Sequence, residues 1–198
     1  MKKIGLTIAA AGLAIGLCSV CVAQDTDHET KQDARQDSKQ DSTSQTKSAD
    51  KSFITDSIEG SQAEINFAKL ALQKSKDANV RKFAEKMVHD HGQLIQSMKP
   101  FAMKYHVKAS GTPMMDHAKY DELKMKSGTD FDRAYVEDMV KDHHDDLQKF
   151  RDEESKTDNP TLKAAVEKGE KVILEHTEMI DNIAHMGGIQ TPAIPSGV

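Results

Sequence analysis

The sequence predicts an all-α protein whose folded part is a four-helix bundle. Apolar residues recur at three- and four-residue spacing along four stretches of about 25 residues each, which is typical of amphipathic helices. No stretch alternates β-branched and polar residues as a strand does. Four helices with one apolar stripe each bury those stripes most economically against one another, so a bundle is expected.

The first two predicted helices form an antiparallel pair joined by a tight turn. The first covers about 52–75. The second is capped by Asp77 or Asn79 and ends near His106, with Pro100 in its last turn.

The last two predicted helices form a second such pair. Gly128 precedes the third helix, for which Thr129 is the predicted N-cap. Asn159 and Pro160 open the fourth, as an N-cap followed by proline at the first helical position. Residues 107–128, with a short helical piece around 120–125, form a long connection between helices 2 and 3 that allows a crossover.

The first 23 residues have the three parts of an export signal. Lys2 and Lys3 form its positive region, residues 4–17 its apolar region, and small residues precede a cleavage site before Gln24. A periplasmic or secreted location in the cell envelope is therefore expected. Lipidation of a cysteine and retention of the segment as an uncleaved anchor are the alternatives.

Cleavage would change the charge and redox chemistry of the chain. It removes both cysteines and two lysines, so the net charge changes from −5 to −7. This acidity argues against a nucleic-acid partner, and no basic amphipathic stretch indicates a membrane surface. After signal cleavage no membrane span is expected, and the oligomeric state is left open between monomer and homodimer.

Polar segments flank the predicted bundle, which covers 51–186. Residues 24–50 contain almost nothing that could be buried and should form a disordered polar linker. Residues 187–198 contain two prolines and should form a short C-terminal tail.

Four polar residues occupy positions where the bundle should be apolar. His91, His143 and His176 lie on the stripes of the second, third and fourth helices, and Glu64 lies near the middle of the first. At about 1.5 Å of rise per residue, all four should fall within about one turn of the same height. One divalent ion can accept three imidazole lone pairs and a carboxylate, so these four residues are the predicted metal ligands. Zn, Fe, Mn and Cu all remain candidates.

An acid precedes each of these histidines in the chain. Asp90, Asp142 and Glu175 are expected to accept a proton from an imidazole on the neighbouring helix, as the usual partner of a histidine ligand does. The remaining histidines near these motifs fall off the stripes and should be solvated: His89, His106 and His144.

A structural interpretation of the same residues stays open. Buried polar groups are tolerated whenever they are paired, and Glu64 could pair with the histidines in a hydrogen-bond network that fixes helix register. The protein would then be a non-catalytic structural or interaction module of the envelope.

The sequence resembles the ferritin-like family of exported bacterial proteins known as domain of unknown function 4142. The resembling segments, which lie between residues 53 and about 186, are Ala63-Glu64-Ile65, Met87-Val88-His89-Asp90-His91, Phe131-Asp132-Arg133-Ala134-Tyr135-Val136, Met139-Val140-Lys141-Asp142-His143 and the late His176. The resemblance implies a ferritin-like four-helix bundle and an envelope location, without a settled activity.

The sequence departs from di-iron ferritin-like proteins at the decisive positions. Those proteins place a glutamate three residues before a histidine on two helices. Here Val88, Val140 and Ile173 stand at that spacing. The prediction is therefore an exported periplasmic bundle that binds one metal ion, with binding or storage favoured over catalysis and a stress-related role left open.

Overall fold

The fold is all-helical throughout the part of the chain that the structure describes. A computed structural model describes residues 29–108 and 117–194, with side chains from residue 45 onward. Five helices and no strand occur there: α1 Glu29–Lys74, α2 Ala78–Lys104, α3 His117–Met125, α4 Gly128–Lys156 and α5 Pro160–Met186. The predicted all-α class is confirmed. The chain divides into two compact units, Met1–Lys39 and Gln40–Val198, and the second holds the bundle.

The predicted signal segment, residues 1–23, lies outside the described residues. Among the helices that are described, none has a stretch long and apolar enough to cross a membrane.

Side-chain caps fix the starts of α2 and α5. The Asp77 carboxylate accepts the backbone N–H groups of Asn79 and Val80 at 2.8 and 3.0 Å. The Asn159 side chain does the same for Thr161 and Leu162 at 3.1 and 3.3 Å. These bonds satisfy donors that the first helical turn leaves without partners, and they confirm both predicted starts.

The start predicted for α4 is wrong. Ser127, and not Thr129, is the N-cap residue, and its side chain makes no capping bond. Gly128 has a φ of 57°, in the left-handed region that favours glycine. The helical hydrogen bonds begin at once, because the Phe131 N–H donates to the Ser127 carbonyl at 3.4 Å.

Both flanking segments contain residues that belong to the helical fold. The linker was expected to be disordered over 24–50, yet α1 extends back to Glu29. Residues 29–50 contain neither glycine nor proline, so nothing in them interrupts a helix. In the tail predicted for 187–198, Ile189 is 9% exposed and packs into the core.

The core consists of two apolar clusters with a polar layer between them. The first cluster is built around residues near the α1–α2 turn, including Phe67, Phe83, Tyr135, Met139 and Ile180. The second cluster is built around residues near the α4–α5 turn, including Ile54, Met98, Leu147, Phe150 and Leu162. Between them lie the buried polar residues Ser61, Glu64, His91, His143, His176 and Thr177.

The order in which each helix passes these clusters gives its direction. α1 and α5 run from the second cluster to the first, whereas α2 and α4 run from the first to the second. Because α2 and α4 are parallel, residues 105–127 must cross the length of the bundle, as the predicted long connection requires. Leu123 of α3 is 1% exposed and anchors this connection in the first cluster.

Gly169 of α5 lies directly against the Phe150 ring of α4. A Cβ atom at Gly169 would overlap the Phe150 ring and lie 3.1 Å from Leu94 Cδ1. Gly60 of α1 offers the contrast, since a Cβ atom there would meet nothing within 4 Å.

The same substitution should therefore have opposite effects at these two sites. Gly169→Ala should lower the free energy of unfolding by about 1–3 kcal/mol, because the Phe150 ring must move. Gly60→Ala should raise it by about 0.5–1 kcal/mol, because alanine has the higher helix propensity. Urea denaturation followed by circular dichroism measures both, and equal effects at the two sites would contradict this packing.

Candidate metal centre

Three helices bring one fully buried histidine each to the polar layer. His91 of α2, His143 of α4 and His176 of α5 are 0% exposed. Their ring centroids lie 5.2–5.9 Å apart. One ring nitrogen from each histidine lies within 4.8 Å of the corresponding nitrogens of the other two. The predicted convergence of the three histidines is thus present in the fold.

Hydrogen bonds fix the proton position on two of the rings. His143 Nδ1 lies 2.9 Å from the Met139 carbonyl oxygen, which only accepts, so Nδ1 carries the proton. His176 Nε2 lies 2.9 Å from Asp90 Oδ2 and donates to that carboxylate. The opposite nitrogen of each neutral ring therefore carries a lone pair.

His91 faces two acceptors on α1 with the same nitrogen. Its Nδ1 lies 3.2 Å from Ser61 Oγ and 3.0 Å from Glu64 Oε2, and the carboxylate, which only accepts, favours a proton on Nδ1. The direction of the N–H satisfies hydrogen-bond geometry only toward Ser61, so the carboxylate acts on the ring mainly through its charge. Glu64 Oε1 also lies 3.8 Å from His143 Nδ1.

The other nitrogen of each ring has no partner. His91 Nε2, His143 Nε2 and His176 Nδ1 are buried and make no hydrogen bond, as do both oxygens of Glu64. Buried polar atoms are nearly always paired, so three unpaired ring nitrogens in one layer mark an unusual site. Nitrogens that share a tetrahedral ion at about 2.0–2.1 Å lie about 3.4 Å apart, so a cluster whose nitrogens lie within 4.8 Å of one another must contract to bind one.

The charges of the layer are coupled through Glu64. Burial alone would raise the pKa of Glu64, but the imidazoles of His91 and His143 outweigh it and lower that pKa to about 2. Burial would lower the pKa of His91, but the Glu64 carboxylate raises it above its usual value. Burial lowers the pKa of His143, and it lowers that of His176 to about 3, so these two rings are neutral at pH 7.

One of the three predicted acid partners bonds a core histidine. Asp90 accepts from His176 and also from Lys86 and His89, both at 2.7 Å. Asp142 instead lies 3.7 Å from Lys119, and Glu175 pairs with Lys86 at 3.2 Å, so both of those predictions are wrong.

Two partners of the core histidines were not predicted. Ser61 lies on the buried face of α1, four residues before Ile65, and a polar residue in that position was the available signal. The Met139 carbonyl left no signal, because a backbone acceptor four residues earlier exists for every helical residue.

Of the histidines expected to be solvated, one is partly buried and paired. The His144 side chain is 9% exposed and its Nε2 lies 3.0 Å from Asp181 Oδ2, which ties α4 to α5. His89 and His106 are exposed as predicted. No second carboxylate joins Glu64 between the rings, since Asp90 is the other described acid within 4.0 Å of the three histidines.

The arrangement can therefore hold one metal ion through three imidazole nitrogens. A carboxylate on either side of the histidines, Glu64 and Asp90, can balance the charge of that ion. The ligand role predicted for Glu64 stays a prediction, because its carboxylate faces Nδ1 of His91 and His143 whereas their unpaired nitrogens are Nε2.

Acid should lower the free energy of unfolding of the chelator-treated protein, because His176 binds a proton more readily in the unfolded chain. Its pKa is about 3 when folded and about 6.5 when unfolded, so between these pH values the unfolded chain binds more protons. The contribution is present above pH 6.5 and is lost as the pH falls toward 3, with a slope of up to about 1.4 kcal/mol per pH unit.

Urea denaturation between pH 4 and 7 measures this slope. We expect His176→Gln to flatten it and the exposed His185→Gln to leave it unchanged. An equal slope in wild type and His176→Gln would show that His176 is not held neutral.

Comparison with known proteins identifies the family and nothing more specific. Residues 35–183 match the family model described as domain of unknown function (DUF4142). No curated protein and no solved structure matches the chain. Since the match covers about three quarters of the 198 residues, the chain belongs to the DUF4142 family.

Proposed function

We propose that this protein is an exported protein of the cell envelope that binds one divalent transition-metal ion in its core. The ligands are His91 Nε2, His143 Nε2 and His176 Nδ1. The observation that carries the proposal is that these three buried nitrogens have no hydrogen-bond partner among the residues that the structure describes. The N-terminal segment, with its positive, apolar and small-residue parts, supports export.

A purely structural role for the layer explains these atoms less well. A network that served only to fix helix register would pair its members, because each unsatisfied buried group costs about 1–3 kcal/mol. Here one nitrogen of each ring is paired, whereas the other has no partner in the described chain. A metal ion can use the lone pairs of all three unpaired nitrogens in one step.

The surrounding carboxylates suit a divalent cation. Glu64 and Asp90 each bring one negative charge next to a ligand ring, and together they match the two positive charges of the ion. Buried charges persist when they are paired in this way. Asp90 also holds His176 by a hydrogen bond in the orientation that leaves its Nδ1 unpaired.

The site favours binding or storage of the ion over turnover of a substrate. All three rings are 0% exposed, so a substrate has no direct access to the ligands. Three imidazoles suit Zn, Fe or Cu, and Mn fits best if Glu64 moves to become the fourth ligand. A stress-protective role would then follow from sequestering the ion.

Metal content tests the proposal, with a matched histidine as control. The purified protein should contain close to one transition-metal ion per chain, and Co²⁺ should bind with the same stoichiometry. His143→Gln should weaken Co²⁺ binding by about 100-fold or more because it removes a ligand. Asp90→Asn should weaken it by about 10–100-fold because it removes the acceptor that orients His176.

His144→Gln is the control because His144 is the next residue, is partly buried and pairs with Asp181 outside the cluster. It should bind Co²⁺ like the wild type. Sub-stoichiometric metal that His143→Gln leaves unchanged, in a variant whose circular dichroism shows it folded, would refute the metal site.

A further inference from the structure

An ion bound between three fully buried rings needs a route from solvent, and the core offers one at Glu64. The three histidines are 0% exposed, whereas Glu64 is 6% exposed. The Glu64 side chain lines a cleft of about 630 Å³ between α1, α3 and α4. This α1–α4 cleft therefore approaches the polar layer at Glu64, the one candidate ligand of the four that keeps any exposed surface.

On the α1 side of this cleft, the residue one turn before Glu64 has no side chain. Gly60 lies one helical turn before Glu64 and also lines the cleft. A Cβ atom at Gly60 would meet nothing within 4 Å, so there is open space at that position.

The opposite wall, on α4, carries carboxylates that can attract a cation. Asp142, Asp145 and Asp146 line the cleft at three- and four-residue spacing. Lysines of the cleft pair with them, Lys141 with Asp145 and Lys149 with Asp146, both at 2.7 Å. In all, the lining has five carboxylates and three lysines, so the cleft carries a net negative charge.

A second cleft, between α2 and α5, also reaches the layer, but hydrogen bonds hold the carboxylate at its inner end in place. Asp90 lines that cleft and accepts hydrogen bonds from Lys86, His89 and His176. Glu64 has fewer partners among the described residues: its Oε2 lies 3.0 Å from His91 Nδ1 and its Oε1 lies 3.8 Å from His143 Nδ1. A carboxylate with these two contacts changes rotamer at a lower cost than one that accepts hydrogen bonds from three donors.

We propose that the α1–α4 cleft, with Glu64 at its inner end, is the entry route of the metal ion to the three histidines. This inference rests on the proposed metal site and adds to it the direction of loading. It assigns a cation-attracting function to the acidic residues of α4.

Charge substitutions at the two clefts test the route. Gly60→Lys adds a positive charge to the α1–α4 cleft, Gly60→Gln adds a side chain without charge, and Gln93→Lys adds a positive charge to the α2–α5 cleft beside Asp90. The measurement is the second-order rate of Co²⁺ binding to the chelator-treated protein, followed by stopped-flow absorbance, together with the stoichiometry at equilibrium.

We expect Gly60→Lys to slow Co²⁺ binding by about three- to tenfold at low ionic strength, because it opposes electrostatic attraction into the cleft. The effect should shrink as salt approaches about 0.15 M. Gly60→Gln and Gln93→Lys should stay within about twofold of wild type. All variants should still bind one Co²⁺ at equilibrium.

Three results would overturn the route. Gly60→Lys could bind at the wild-type rate, Gln93→Lys could be slowed as much, or every variant could show one rate that does not depend on Co²⁺ concentration, as loading by opening of the bundle requires. In each of these the equilibrium stoichiometry stays at one, so the metal site stands. If wild type binds no Co²⁺ at equilibrium, the site and the route both fail.

Discussion

Three buried imidazoles, each bonded to the protein through one nitrogen and unpaired at the other, are the constraint on which the rest of the molecule depends. Met139 holds His143, Asp90 holds His176, and α1 holds His91. These bonds decide which nitrogen keeps its lone pair. The other nitrogens, His91 Nε2, His143 Nε2 and His176 Nδ1, are buried and have no hydrogen-bond partner in the described chain.

The bundle tolerates this layer because apolar clusters enclose it on both sides. Phe83 of the first cluster packs edge-on against His143 and His176, with ring centroids 5.6 and 6.1 Å apart. Such packing excludes water and strengthens the electrostatic coupling of Glu64 with the rings. Without an ion, the unpaired buried atoms of the layer cost folding free energy. An ion bound at the proposed site would add its binding free energy to the stability of the folded state.

Much of the fold and of the layer follows from periodicity alone. Histidines on three apolar stripes predicted the convergence, and the Asp90–His91 pair predicted one acid partner. The rest depends on side-chain rotation and backbone geometry that spacing does not encode. Asp142 and Glu175 face lysines because 100° of rotation from a histidine leads either to a neighbouring ring or to the surface. The extension of α1 to Glu29 was missed because the prediction considered burial and not helix propensity.

The proton positions on the three rings test the account most directly. Long-range ¹H–¹⁵N spectra of the histidine side chains in chelator-treated protein at pH 8 distinguish the two tautomers of each ring. The account predicts that His143 carries its proton on Nδ1 and His176 on Nε2, and that Zn²⁺ shifts the resonances of His143 Nε2 and His176 Nδ1. Rings that exchange between tautomers, or a Zn²⁺ shift confined to the exposed His89 and His185, would contradict it.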